Sequence, residues 1–288
     1  VDEKAGWLYF TARSGGNPLN DHLHRVRLDG TDHTRLTRNA LHYSSFQISS
    51  DHKWFVARRE AISVPPAMAL FDTESNEVAV LAYQPEKDKK KAAELGLAKP
   101  ELFACKAADE KTTLYGTLYK PSNFDPKRKY PLLISVYGGP SSRGVSNRYS
   151  AANAYCEFGF LVATIANRGT AARGKAFETA GYLKLGTVDL DDQAAGVRHL
   201  AKRSYVDATR VGIAGHSYGG YMSALALLRY PEIFHVGVAG APVTDWKNYD
   251  TIYTERYMRT PMENPDGYRA GSCLSYAKKL KGKLLLLH

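Results

Sequence analysis

Val211-Gly-Ile-Ala214 runs into Gly215-His216-Ser217-Tyr218-Gly219-Gly220 and then into Tyr221-Met-Ser-Ala-Leu-Ala-Leu-Leu228. A short apolar run, a serine bounded by glycines and a long run of helix formers, in that order, read as strand, tight turn and helix. The serine stands in the pattern G-x-S-x-G. A junction this abrupt leaves no room for side chains beside it, and it lifts the serine oxygen above the sheet edge at the start of the helix. The pentapeptide alone is only suggestive. With a strand before it and a helix after it, Ser217 is the candidate nucleophile, against the alternative of a structural Gly-rich turn.

Outward from that turn the texture is strand, loop, helix, strand. Residues 114–119, 132–137, 160–165, 211–214, 236–239 and 283–287 read as apolar strands, and 151–158, 191–202 and 218–229 as helices. Apolar strands alternating with helices predict a mostly parallel sheet with helices on both faces, the α/β-hydrolase arrangement. Ligands bind there at the carboxyl ends of the strands. Residues 1–85 differ: short β-rich runs at 7–10, 22–28, 43–48, 53–58, 67–71 and 77–83 are separated by turn signals. Their spacing suits the last one to two blades of a β-propeller at roughly 40 to 45 residues per blade; a small separate sheet is the other reading. The expected division is 1–85 propeller, a charged, Ala-rich linker over 86–110, and 111–288 hydrolase. The chain opens at Val1 without Met and closes on His288 straight after an apolar run, so it reads as truncated at both ends, with the hydrolase incomplete at its C-terminus.

Composition narrows the classes. With 44% hydrophobic and 24% charged residues the chain is not disordered, collagenous or a coiled coil. No run of about 18 apolar residues is present, so no transmembrane segment is expected. The net charge of +10 comes from scattered lysines and arginines, which suit a solvated surface better than a nucleic-acid groove. Cys105, Cys156 and Cys273 have no zinc spacing, so neither a metal site nor a disulfide scaffold is indicated, and no cofactor is expected.

A serine hydroxyl needs a base oriented by an acid, and in α/β hydrolases these follow in the order Ser, acid, His. After Ser217 only His235 and His288 remain. His235 falls at the start of a strand, far from the carboxyl edge. His288 has no suitable acid before it, and His216, next to the nucleophile, points away. The triad Asp and His are therefore expected after His288. The Tyr218 amide is one oxyanion donor by geometry. At the place where many esterases carry His-Gly-Gly, this chain has Tyr137-Gly138-Gly139-Pro140. The Tyr137 phenol donates to the oxyanion, or it is a buried ring before a turn. Trp246, Tyr249, Tyr253 and Tyr257, spaced by three, four and four, share one face if they lie on a helix. They line a pocket for a flat apolar ring or they are core, and the residues alone leave both open.

Val136-Tyr-Gly-Gly-Pro, Asn167-Arg-Gly-Thr, Gly215-His-Ser-Tyr-Gly-Gly-Tyr, Ala241-Pro-Val-Thr-Asp-Trp and Asp250-Thr-Ile-Tyr-Thr-Glu-Arg-Tyr-Met together resemble the dipeptidyl peptidase IV branch of the prolyl oligopeptidase family. The likeness covers nearly all of residues 110–288. His42-Tyr-Ser-Ser-Phe-Gln-Ile-Ser-Ser-Asp and Val64-Pro-Pro resemble that family's closing propeller blade. The resemblance implies a serine exopeptidase releasing N-terminal dipeptides or tripeptides after proline or alanine. Its nucleophile is then Ser217, with the oxyanion held by Tyr137 and the Tyr218 amide. The pocket for the residue before the scissile bond is lined by Tyr218, Val243, Trp246, Tyr249 and Tyr253. It also implies peptide substrates and a periplasmic, secreted or cell-surface location, with homodimerisation left open. His216 stands where close relatives usually have Trp, and Ala166 where many have Asp. A carboxylesterase and a catalytically dead propeller–hydrolase interaction protein are the alternatives.

Overall fold

The computed structural model describes residues 1–38, 40–82, 90–91, 93–150 and 152–288. Tyr83 of the sixth expected strand, residues 86–89 and 92 of the expected linker, and Ala151 of the expected helix at 151–158 lie outside them. Two compact units are present: Val1–Pro100 with Ser146–Ala151, and Glu101–Val145 with Ala152–His288.

The first unit holds two antiparallel sheets. β1 (Trp7–Arg13), β2 (Asp21–Arg27) and β3 (Thr34–Arg35) form one; β4 (His42–Ile48), β5 (Trp54–Ala61), β6 (Val64–Asp72) and β7 (Glu77–Ala82) form a four-stranded meander, the form of a propeller blade. Strict alternation along β6 turns Ala67, Ala69 and Phe71 inward. Phe55 stacks on Phe71 with centroids 5.0 Å apart, and Leu23 of β2 and Leu36, just after β3, join the same core. Residues numbered within the expected hydrolase also belong here: buried Asn147 accepts from the Ile62 amide and donates to Asn20, both at 2.9 Å.

The second unit is built on a seven-stranded sheet, in the order β14-β13-β12-β10-β11-β9-β8. Its strands are β8 (Glu101–Lys106), β9 (Thr113–Tyr119), β10 (Tyr130–Ser135), β11 (Leu161–Ala166), β12 (Val206–His216), β13 (Val236–Gly240) and β14 (Lys283–Leu287). The pairs among β10, β11, β12, β13 and β14 are parallel, while β8 and β9 run antiparallel at one edge. β8 lies inside the stretch expected as linker. Its helices include α1 (Val188–Leu200), α2 (Tyr218–Arg229), α3 (Thr251–Met258) and α4 (Pro265–Gly271). Every residue of α2 except Arg229 is buried, as a helix apolar on all sides must be. The stretch read as a helix over 151–158 is a 3-10 turn, Ala154–Phe158, stopped by Gly159 in the left-handed conformation.

Four parallel strands deliver the residues that matter. β10 leads to Tyr137, β11 to Asn167, β12 to Ser217 and β13 to Ala241, all at carboxyl ends. A wider concavity of about 1200 Å³ is lined by residues 130–133 of β10, 209–214 of β12, Val236 and Val238 of β13 and Lys283 of β14, and Ser217 is not among its walls.

Candidate active site

Ser217 sits between β12 and α2 with φ 58° and ψ −118°, in the half of conformational space that side chains avoid. Such a residue costs about 1–3 kcal/mol and persists only where its surroundings over-determine it. The constraints are visible. The Ser217 amide donates to the Gly240 carbonyl at 2.8 Å, and its own carbonyl accepts from Tyr221 N at 3.0 Å. A Cβ on Gly215 or Gly219 would collide with the Val136 carbonyl, and one on Gly220 with that of Gly240. The three glycines of the motif thus let β12 and α2 close against the ends of β10 and β13. Ser217 is half-buried and His216 exposed.

The Tyr218 amide opens α2, in the first turn where helical amides lack an intrahelical acceptor. The ring of Tyr218 is buried and meets Tyr137 at 6.1 Å, Tyr221 at 5.5 Å and Trp246 at 5.5 Å between centroids. Tyr137 itself is 45% exposed, which sets aside the reading of it as a buried ring. Gly139 lies under both rings, since a Cβ there would come within 2.7 Å of Tyr218 Cγ and 3.0 Å of Tyr137 Cε1. The turn behind Tyr137 is held by Asn167, whose amide nitrogen donates to the Gly138 carbonyl at 2.9 Å and whose oxygen accepts from Gln193 at 2.8 Å.

A residue that the sequence did not single out closes this arrangement from below. Asp189, in the first turn of α1, is 2% exposed, and its carboxylate accepts from the Tyr218 hydroxyl at 2.5 Å, the Gly186 amide at 3.1 Å and the Leu190 amide at 3.0 Å. Burial pushes its pKa up to about 6, while those three donors pull the other way. The Tyr218 and Tyr221 phenols are both raised well above the usual range, first by burial and then by the charge of Asp189. Nothing in Thr187-Val-Asp-Leu-Asp-Asp-Gln marks Asp189 out, because its partner is 29 residues away on another element.

The aromatic stripe departs from its expected form. Trp246–Asn248 is a 3-10 turn, Tyr249 is extended, and a new helix, α3, begins only at Thr251. The break is chemical: Asp245 accepts from Lys247 N at 2.9 Å and Asp250 caps α3 by accepting from Tyr253 N at 2.7 Å, so two capping carboxylates override the helical spacing. The rings nevertheless converge. Trp246 lies 5.9 Å from both Tyr249 and Tyr253, Tyr249 lies 5.5 Å from Tyr253, and Tyr257 lies 5.0 Å from Tyr253. Trp246 is fully buried, Tyr249 is 42% exposed, and Tyr253 and Val243 are half-buried. The cluster is therefore core at Trp246 and an accessible wall at Tyr249. A cavity of about 330 Å³ lies along Tyr218, Asp189, Leu185, Tyr182, Tyr257 and Pro140.

His235 accepts from the Val211 amide at 3.3 Å at the amino end of β13, so it stays away from Ser217. Among the described residues no group of three or more His, Cys, Asp or Glu is placed to hold a metal, and no helix is long and apolar enough to cross a membrane. Cys105, Cys156 and Cys273 are free and buried.

The chain as a whole is similar to known proteins. The model of the prolyl oligopeptidase family matches residues 147–288, and that of the dipeptidyl peptidase IV N-terminal region matches residues 1–66. The chain is 37% identical over 302 residues to dipeptidyl peptidase 8 of Homo sapiens, covering 100% of itself and 33% of that protein. Dipeptidyl peptidase 8 of Mus musculus is 44% identical over 198 residues, covering 66% of this chain and 22% of its own. The crystal structure of Porphyromonas gingivalis dipeptidyl peptidase 4 superposes with a TM-score of 0.86 at 32% identity, over 98% of this chain and 40% of that one. A Bacteroides ovatus crystal structure does so with a TM-score of 0.88 at 34% identity, over 99% and 40%. The chain spans about a third or less of the length of these two curated relatives. With a blade-forming unit, a strained serine elbow and both family models in register with them, the chain belongs to the dipeptidyl peptidase IV branch of the prolyl oligopeptidase family.

Proposed function

We propose that the protein is a serine exopeptidase that releases N-terminal dipeptides, or tripeptides, after proline or alanine. The observation that carries this reading is the strained Ser217 at the carboxyl end of β12, with the Tyr137 and Tyr218 rings and the Trp246–Tyr249–Tyr253 cluster converging beside it. In this reading Ser217 Oγ attacks the carbonyl of the residue before the scissile bond and passes its proton to a histidine base outside residues 1–288. The tetrahedral oxygen, which carries the charge, accepts from the Tyr218 amide and the Tyr137 phenol. Collapse expels the amine, protonated by the same histidine, and leaves an acyl ester on Ser217 that water hydrolyses. The wall presented by Tyr249 and Tyr253 suits a pyrrolidine ring, which buries apolar surface without needing a hydrogen-bond partner.

The test is covalent labelling. In the full-length protein a fluorophosphonate should attach to Ser217, and Ser217→Ala should abolish both labelling and hydrolysis of a chromogenic Gly-Pro amide. Labelling that survives the substitution removes Ser217 from the mechanism. Turnover of simple esters without any turnover of the amide makes the protein a carboxylesterase instead.

A further inference from the structure

Tyr218 carries two duties through one residue. Its amide is the oxyanion donor of the proposed mechanism, and its ring is the surface against which both Tyr137 and Trp246 rest. On those sides the ring is held by aromatic neighbours. On another it borders the cavity of about 330 Å³, which offers it room to swing. Among the described residues, the hydroxyl at its far end is bonded to Asp189 alone.

We propose that Asp189 is a positioning residue for the chemistry at Ser217, fixing Tyr218 by its phenol so that the pocket wall and the oxyanion donor stay aligned. Asp189 does not touch the reacting atoms. It acts at the end of a lever whose other end is the peptide bond joining Ser217 to Tyr218. The geometry supports a working role over plain helix capping in three ways. The carboxylate is almost wholly buried, where an ionisable group is costly unless something requires it. The oxygen facing Tyr218, Oδ2, also takes the Gly186 amide, so the acceptor is fixed by backbone at the turn before α1 rather than by a mobile side chain. That turn is itself pinned, because Arg229 at the end of α2 donates to the Gly186 carbonyl at 2.7 Å. Both ends of α2 thus report to one short segment, 186–189: Tyr218 through Asp189 and Arg229 through Gly186. If the phenol is released, the ring gains the cavity, Tyr137 loses its neighbour, and the first turn of α2 loses the hydrogen bond that ties it to α1.

This inference rests on the reading of Ser217 as nucleophile, and the experiment separates the two. In the full-length protein, Asp189→Asn, Tyr218→Phe and their combination are compared using Gly-Pro and Ala-Ala chromogenic amides and the rate of fluorophosphonate labelling at Ser217. Tyr218→Phe removes one oxygen and keeps both ring and amide. Each single variant should lower kcat by about tenfold or more and shrink the proline-over-alanine ratio, and the double variant should be no more than about twofold worse than either, since both break one bond. Asp189→Glu keeps the acceptor, and the adjoining cavity gives space for its extra methylene, so it should recover most of the lost kcat. A merely structural Asp189 lowers thermal stability without moving the proline ratio, and that result overturns the proposal. So does a Tyr218→Phe variant within twofold of the parent, or losses that multiply in the double variant. Should Asp189→Asn fail to fold, Tyr218→Phe and Asp189→Glu decide alone. A parent that neither hydrolyses the amides nor takes the label overturns both readings, whereas an active parent with indifferent variants overturns only this one.

Discussion

Tyr137 and Tyr218 tilt toward one another over Gly139, Tyr137 45% exposed and Tyr218 buried, so Tyr137 is the accessible member of the pair. Tyr137→Phe keeps that ring and deletes only its donor. In the proposed mechanism kcat should fall by about 10² to 10³ with little change in KM, the signature of a contact made chiefly in the transition state. Steady-state kinetics on a Gly-Pro amide decide it; a change in KM alone would make Tyr137 a binding wall. At this scale legibility followed locality. The tight turn at Ser217 could be read because its neighbours along the chain impose its conformation: glycines at 215, 219 and 220 are each demanded by a carbonyl a few ångströms away. Asp189 and Asn167 could not, since their bonds to Tyr218 and Gly138 join elements far apart in sequence.

The element carrying Trp246 to Tyr257 shows what periodicity can and cannot say. Spacings of three, four and four are helical, yet Asp245 and Asp250 cap two separate turns, and the rings meet because the chain bends between them. Pattern counts apolar residues well; it cannot weigh a capping carboxylate against the helix that it interrupts. The same limit applied to Glu101–Lys106, a charged-flanked strand that entered the sheet only through pairing with β9. The apolar runs of β10, β11, β12 and β13, in contrast, declared themselves: β11 is buried along nearly its whole length, and the other three set buried residues at alternating positions of their apolar stretches. Tyr249, 42% exposed and edge-on to both Trp246 and Tyr253, is the most exposed ring of the cluster. The intact pocket should prefer proline over alanine by about 10- to 100-fold in kcat/KM, from roughly 1 to 3 kcal/mol of apolar burial. Tyr249→Ala should lose most of that preference. Comparing Gly-Pro, Ala-Ala and Gly-Phe amides checks it, and rapid cleavage of Gly-Phe by the parent would mean that the cluster is plain core.

For the whole molecule, sequence gave the character of each half but not the order in which strands lie side by side, because an apolar run announces burial without naming its neighbour. Each unit then closes its own core, one around Phe55 and Phe71, the other around α2 and the central strands. All three cysteines fall in the second unit, at 6%, 1% and 5% exposure for Cys105, Cys156 and Cys273. Burial pushes the first two thiols up to about 11 and Cys273 up to about 12, from an ordinary value of 9.0. Only the thiolate reacts, so near pH 8 each is about 100-fold or more poorer in thiolate than a free cysteine, and shielded as well. Alkylation of these three thiols should therefore measure opening of the α/β unit and nothing else. Peptide-mapped iodoacetamide modification of the full-length protein across a urea series should show all three silent in native buffer, then rising together at one midpoint. Hydrogen exchange in β5 and β6 reads the blade unit separately and need not share that midpoint. A thiol that reacts at the rate of free cysteine without urea, or three well-separated midpoints, would show that the core around α2 does not open as one cooperative body.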